Sequence, residues 1–250
     1  MNINLYGYGF VGKAHYEILK DKNTINIIDP KFPDLKKLDT EVDCAIVCVS
    51  TPAAEDGSCD ASNVLDVLSK INKTVPILIK STISLEGWKI LKEKYPYHSI
   101  NFSPEFLRAE NYIDDFKNMS TMYLSTEKAT MWATLFNANW KNLQFIVGEA
   151  EELILMKYFR NSFLATKVSF FNQVYDMCEA TGVNYDEVAS GIAQDPRIGF
   201  SHTSVTEDRG WGGLCFPKDT SAIIETAKLY KTELSLISEA RSYNSKIRKE

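Results

Sequence analysis

Short apolar runs alternate with amphipathic stretches through the first part of the chain. Ile3–Tyr6 has the length of a strand, and Val11–Leu19 places apolar residues at helical spacing. Ile25–Ile28, Ala45–Val49 and Ile77–Ile79 read as further strands, with a helix over Val64–Ile71. Ser99–Phe102, Met122–Leu124 and Phe145–Val147 continue the series, with a helix over about 127–137 before the last of them. Strands that alternate with helices predict an α/β fold, a doubly wound parallel sheet.

The pattern changes near Gly148. From Glu149 to about Thr181 there is no glycine or proline, and Leu153, Met156, Phe159, Phe163, Val168, Phe171 and Val174 recur at helical spacing. One long helix is expected, apolar over a wide face and therefore packed on more than one side. Gly182 is a stop signal. A short helix over about 184–193, a glycine-rich loop over 195–216, a helix from near Pro217 and another from about Glu233 complete the reading. Two domains follow: 1–148, carrying the sheet, and 149–250, all helical.

Bulk properties narrow the function classes. The 250 residues carry 28 basic and 33 acidic side chains, a net charge of −5, with no basic block to meet nucleic acid or an anionic membrane. No apolar run reaches the ~20 residues of a membrane span, and Met1–Leu5 lacks the charge of a secretory leader. Five cysteines, at 44, 48, 59, 178 and 215, show no metal-ligand spacing. Cys44 and Cys48 fall in an apolar run and are expected as buried thiols, so a reducing cytoplasm fits and no metal site is expected. Histidines 15, 98 and 202 have no partner pattern and read as surface or satisfied polar residues.

Gly7-Tyr8-Gly9-Phe10-Val11-Gly12 is a G-x-G-x-x-G between a strand and a helix. In that context it reads as the turn of a Rossmann-like dinucleotide site. Gly7 makes the tight turn, Gly9 lets the backbone approach a pyrophosphate, and Gly12 lets the helix pack closely. The helix N-terminus, beginning at Phe10 and Val11, offers N–H groups to the phosphates. Asp29 ends the second strand, 22 residues after Gly7, where a carboxylate accepts from a ribose and repels a 2′-phosphate. NAD is therefore favoured over NADP, with Lys31 nearby weakening the preference. Thr51-Pro52, Lys80-Ser81-Thr82 and Glu105 close other strands, at the end where ligands bind such sheets.

A second chemical feature is Gly210-Trp211-Gly212-Gly213-Leu214-Cys215-Phe216-Pro217-Lys218-Asp219. Pro217 suits a first helical position, which puts Cys215 at a helix N-terminus, where the dipole and Lys218 favour the thiolate. Asp219 is placed to orient water or carry a proton. Lys157 and Asn161 are one helical turn apart and interrupt an apolar stretch, a cation and an amide suited to a developing oxyanion.

With these segments in view, the chain resembles the UDP-glucose/GDP-mannose dehydrogenase family. The shared segments are collinear: GYGFVG at 7–12, VSTP at 49–52 followed by DGSCDAS, KST at 80–82, SPEFLR at 103–108, KYFRNSFLATK at 157–167, DPRIG at 195–199 and GWGGLCFPKDT at 210–220. The resemblance implies oxidation of a nucleotide-sugar C6 alcohol to the carboxylate, UDP-glucose being the leading candidate, with two NAD reduced in turn. It implies that Cys215 forms a thiohemiacetal and then a thioester. It makes Glu105 a general base acting through water, Lys157 and Asn161 the oxyanion holders, and Asp219 the acid/base partner of the thiol. Thr82 becomes a cofactor- and water-binding residue, and Lys218 a cofactor-phosphate contact. Phe106, Leu107 and Gly212 fall at substrate-binding positions. Arg197 matches an arginine that reaches the substrate of the neighbouring subunit, so a homodimer through the long helix is implied.

Four departures stand out. Ala109 occupies the place of a usual second glutamate, with Glu110 next; Leu214 replaces a common serine; the Arg197–Cys215 loop reads as about two residues longer; and the family continues for about one further domain. Two alternatives remain open from the residues. One is a dehydrogenase of the 6-phosphogluconate/β-hydroxyacid type acting on a smaller substrate, against which the GGLCFPKD segment argues. The other is an NAD-binding subunit completed by a partner chain.

Overall fold

Five parallel strands build the sheet of the first half. They are β1 (Asn2–Tyr6), β2 (Thr24–Ile28), β3 (Cys44–Val47), β4 (Ile77–Ile79) and β5 (Ile100–Phe102), in the order β2-β1-β3-β4-β5. In the computed structural model residues 1–35, 41–140 and 143–249 are described. The α/β fold with a helical second part is as expected. All residues of β3, β4 and β5 are buried, which is why β3 and β4 read as continuous apolar runs rather than alternating ones.

Helices α1 (Phe10–Leu19), α2 (Ser62–Leu68), α3 (Leu85–Lys94), α4 (Tyr112–Lys117) and α5 (Ala129–Asn137) connect the strands. Of these, α3 and α4 are additions to the sequence reading. Ser84 caps α3 by accepting from the Gly87 N–H. That cap signal lies in Ser84-Leu85-Glu86, and α3 was masked by its polar, lysine-rich face. Strands β6 (Thr121–Ser125) and β7 (Gln144–Gly148) pair in parallel as a separate two-stranded sheet, rather than extending one continuous sheet. The cause is local: the Phe102 N–H donates 2.8 Å to Ser125 Oγ. A side chain thus replaces the ladder bond between β5 and β6. Asn101, fully buried, bridges the seam by donating to Ser125 Oγ and accepting from Trp132 Nε1.

The chain divides into two compact units, Met1–Pro52 with Cys59–Lys157, and Ala53–Ser58 with Tyr158–Glu250. The core of the first unit joins Ile3, Leu5, Ile46 and Leu78 of the sheet to Phe116, Trp132 and Phe136 of the helices. The long helix α6 (Ala150–Thr181) begins in the first unit and continues into the second, which also holds α7 (Tyr185–Ala193), α8 (Phe216–Leu229) and α9 (Ser235–Ile247). One buried cluster of the second unit joins Ala165, Val168 and Trp211, with Phe216 against them. Phe163, Phe170 and Met177 on α6 are exposed at seven-residue intervals. Among the described residues no helix is long and apolar enough to cross a membrane.

Candidate active site

The glycine turn sits where the strand order reverses, between β1 and β3, the place at which open α/β sheets take ligands. Gly7 has φ +87°, and a Cβ on it would lie 2.7 Å from the Cys48 carbonyl group, so a side chain is excluded twice over. A Cβ on Gly12 would lie 2.0 Å from the Gly7 oxygen: the first turn of α1 rests directly on the end of β1. Gly9, the N-cap of α1, faces open space, and no side chain caps this helix end. The first N–H groups of α1 are thus left for an external acceptor, which fits a pyrophosphate. Asp29 stands at the end of β2. Its Oδ2 accepts from the Tyr8 N–H at 2.6 Å and its Oδ1 from the Lys31 N–H at 2.8 Å. This fixes the carboxylate beside the turn while leaving lone pairs for a ribose. Thr51, just beyond β3, is buried, and Pro52 is exposed. Phe10 and Val11 open α1, Phe10 tilted on Tyr112.

Also in the first unit, three charged side chains meet at the ends of β4 and β5. Lys80 follows β4 and is buried. Its Nζ donates 2.8 Å to Ser103 Oγ and lies 3.1 Å from Glu105 Oε2, a buried ion pair without the alignment of a hydrogen bond. Glu105 Oε1 accepts from the Phe106 N–H at 2.9 Å. Burial alone would push the Glu105 carboxyl up, but the Lys80 charge first, then His15 and the Phe106 N–H, outweigh it and hold the group below the ordinary carboxylate range. Lys157 Nζ donates 2.5 Å to the main-chain oxygen of Glu105 and lies over the Phe106 ring. Leu107 is buried and Phe106 half-buried. Thr82, half-buried, offers its main-chain oxygen to Cys59 Sγ at 3.6 Å.

The second unit holds Cys215 at the N-cap of α8, half-buried, with Pro217 in the first turn. Asp219, 1% exposed, accepts from Asn161 Nδ2 at 2.6 Å and pairs with Lys218 Nζ at 2.5 Å. Lys218 thus faces Asp219, which follows it directly in sequence. Arg241 on α9 donates to the Pro217 oxygen and to Thr220 Oγ1, both at 2.7 Å, and ties down the start of α8. The loop before Cys215 is held as tightly. Trp211 N donates 2.7 Å to Asn244 Oδ1, Asn244 Nδ2 returns 2.9 Å to the Trp211 oxygen, and Trp211 Nε1 donates to Ser169. Buried Asn172 accepts from Arg209 Nε and the Gly210 N–H, and Arg209 also pairs with Asp176. Gly212 is half-buried beside the Arg248 guanidinium. Arg197 is 87% exposed and paired with Asp195 of its own loop.

Two residues take places the sequence did not reveal. Lys80 is one: it was expected at a strand end within Lys80-Ser81-Thr82, but its pairing with Glu105 was not. His15 is the other, and it corrects the expectation of a surface or satisfied histidine. It is fully buried, Nδ1 bonds the Val11 oxygen, and Nε2 has no partner. Burial, then the Lys80 charge, lowers its pKa to about 4, so the ring is neutral. Cys44 is buried in β3 as expected, while Cys48 lies just past the strand and is half-buried. Among the described residues no cluster of metal-ligating side chains occurs.

Two domain models of one family match this chain. The NAD-binding domain of the UDP-glucose/GDP-mannose dehydrogenase family matches residues 31–137, and its central domain matches residues 150–246. The chain belongs to the UDP-glucose/GDP-mannose dehydrogenase family. NAD is accordingly its cofactor, although the glycine turn itself precedes the matched range. This family member is 31% identical over 223 residues to the UDP-glucose 6-dehydrogenase of Rickettsia typhi, covering 83% of this chain and 50% of that one. It is 32% identical over 226 residues to the UDP-glucose 6-dehydrogenase of Rhizobium meliloti, covering 82% and 50%. The chain thus spans about half the length of these relatives. In fold it resembles a UDP-glucose dehydrogenase from Pyrobaculum islandicum, with TM-score 0.84 at 23% identity, over 98% of this chain and 68% of that one. It also resembles a UDP-D-ManNAc dehydrogenase from Pyrococcus horikoshii, with TM-score 0.81 at 18% identity, over 99% and 69%.

Proposed function

We propose that this chain catalyses the NAD-dependent oxidation of a nucleotide-sugar C6 alcohol to the carboxylate, with UDP-glucose the leading substrate. The observation that carries the reading is a half-buried cysteine at the N-cap of α8 in a chain of this family. A cysteine so placed has no use in the 6-phosphogluconate/β-hydroxyacid alternative. Residues 1–148 form the NAD-binding domain, and 149–250 the helical domain that carries the thiol.

NAD, when bound, supplies the hydride acceptor, two molecules in turn. The turn Gly7–Gly12 and the start of α1, with Phe10 and Val11, receive the pyrophosphate. Asp29 accepts from the ribose, Thr51, Pro52 and Thr82 line the cofactor, and Lys218 reaches a phosphate. Cys215, as thiolate, attacks the carbon of the aldehyde-level sugar and forms a thiohemiacetal. Its oxidation leaves a thioester, which holds the reactive carbon on the protein. Lys157 and Asn161 donate to the oxygen on which negative charge develops. Asp219, held by Asn161 and Lys218, exchanges the proton of the thiol. Glu105 takes a proton from the water that attacks the thioester, releasing the carboxylate and restoring Cys215. Phe106, Leu107 and Gly212 contact the substrate, and Arg197 serves the neighbouring copy of a homodimer. The exposed stripe Phe163, Phe170 and Met177 supports pairing through α6, since three large apolar side chains on one helix face gain by burial.

A nucleotide-sugar panel monitored for NADH tests the proposal, with wild type and Cys215→Ala in parallel. NADH from UDP-glucose or a related nucleotide sugar, with no carboxylate product from Cys215→Ala, is expected. No turnover of any nucleotide sugar by a protein that binds NAD would overturn it.

A further inference from the structure

We propose that Lys80 is the positioning residue for Glu105: its ammonium keeps the carboxylate charged and aimed, so that Glu105 can act as the base in thioester hydrolysis. This deepens the function proposed above and rests on it.

Glu105 is buried, and a buried carboxylate without a counter-charge takes up a proton and ceases to be a base. The groups around it come from four elements. His15, on α1, is neutral. Cys48, after β3, is a thiol that burial pushes up and keeps protonated. Lys157, on α6, gives its ammonium to the main-chain oxygen of Glu105. Lys80, after β4, is the cation set against the carboxylate itself, 3.1 Å from Oε2. Its side chain is 1% exposed, so solvent screens the pair little. The ammonium is in turn located by Ser103 Oγ at 2.8 Å and the Pro104 oxygen at 3.5 Å. Oε1 is held by the Phe106 N–H, while Oε2 faces the Lys80 ammonium without a hydrogen bond of its own. Ser103, Pro104 and Glu105 are consecutive, so one lysine sets both the base and the backbone that presents it.

The test compares wild type with Lys80→Met, Lys80→Arg and Ser103→Ala in the full chain, following the rate of thioester hydrolysis against pH. In Lys80→Met the rate at neutral pH falls roughly 100-fold, the lower end of what a positioned base contributes. The acid limb of the profile moves to higher pH, and a thioester accumulates on Cys215 by intact mass. Lys80→Arg returns the limb towards its original place. Ser103→Ala shifts the limb the same way by less, and keeps the test open if Lys80→Met does not fold. A loss of rate that is uniform across pH, with the limb unmoved, overturns the proposal. The Glu105 carboxyl is also titrated directly by carbon-13 NMR. If it titrates higher in Lys80→Met while wild type turns over no nucleotide sugar, the functional reading fails and the charge-holding role stands. If wild type turns over and neither the limb nor the carboxyl moves, the Lys80 proposal fails and the functional reading stands.

Discussion

Gly9 and Gly12 lie three residues apart in one turn, and alanine at each should fail in opposite ways. A Cβ at Gly12 would stand 2.0 Å from the Gly7 oxygen and 3.0 Å from the Gly7 carbonyl carbon. Ordinary contacts need more than 3.4 Å, so α1 must retreat from β1 by over 1 Å. Overpacking of that kind costs about 1–3 kcal/mol, which at about 2–4 °C per kcal/mol for a chain of this size lowers the melting midpoint by about 2–12 °C. At Gly9 a Cβ meets nothing within 4 Å, and φ −73° and ψ −165° suit any residue. There alanine leaves the fold intact and adds up to about 0.4–1 kcal/mol by restricting the unfolded chain. It does, however, place a methyl where the pyrophosphate must approach. The assay is thermal denaturation with and without NAD, backed by calorimetric titration. Wild type gains stability with NAD as the logarithm of its concentration over Kd. Gly9→Ala should match or exceed wild type without NAD and lose the NAD-dependent gain. Gly12→Ala should melt lower under both conditions. A Gly9→Ala protein that binds NAD like wild type would refute the placement of the pyrophosphate.

Asn244→Ala removes both bonds to the main chain of Trp211 and leaves buried groups unpaired, so stability should drop by about 2–4 kcal/mol. A drop under 0.5 kcal/mol in denaturant titration would contradict that role. His15 is buried neutral with a pKa lowered to about 4, while the unfolded chain takes up its proton near 6.5. Its contribution is full above pH 6.5 and lost as pH falls towards 4, up to about 3 kcal/mol; His15→Leu should flatten the melting-temperature slope in that window, and an unchanged slope would assign it to other groups. Iodoacetamide at pH 8 should modify Cys215 well before Cys44, whose thiol burial raises to about 12; peptide mapping that finds Cys44 labelled first would contradict the burial.

Strands β3 and β4 were legible because a parallel sheet covered on both faces leaves uninterrupted apolar runs, as in Ile77–Ile79. The glycine turn was legible because close approach admits no other residue at Gly7 or Gly12. What stayed hidden depends on contacts distant in sequence. Lys80 and Glu105 meet across 25 positions, and nothing local marks one as the partner of the other. Asn172 and Asn244 look like ordinary polar residues on helices until the Trp211 loop is seen between them. Ser125, which interrupts the ladder between β5 and β6, differs from any serine at a strand end only in its partner, the Phe102 N–H.

The central claim is that Cys215 carries the sugar through two successive oxidations, and the ratio of products tests it most directly. NADH formed per nucleotide sugar consumed is counted with the wild-type chain, alongside the mass of the protein during turnover. The account predicts two NADH for each uronate released, with an acyl adduct on Cys215 when hydrolysis is slowed. One NADH per sugar, with free aldehyde released and no adduct on Cys215, would contradict it.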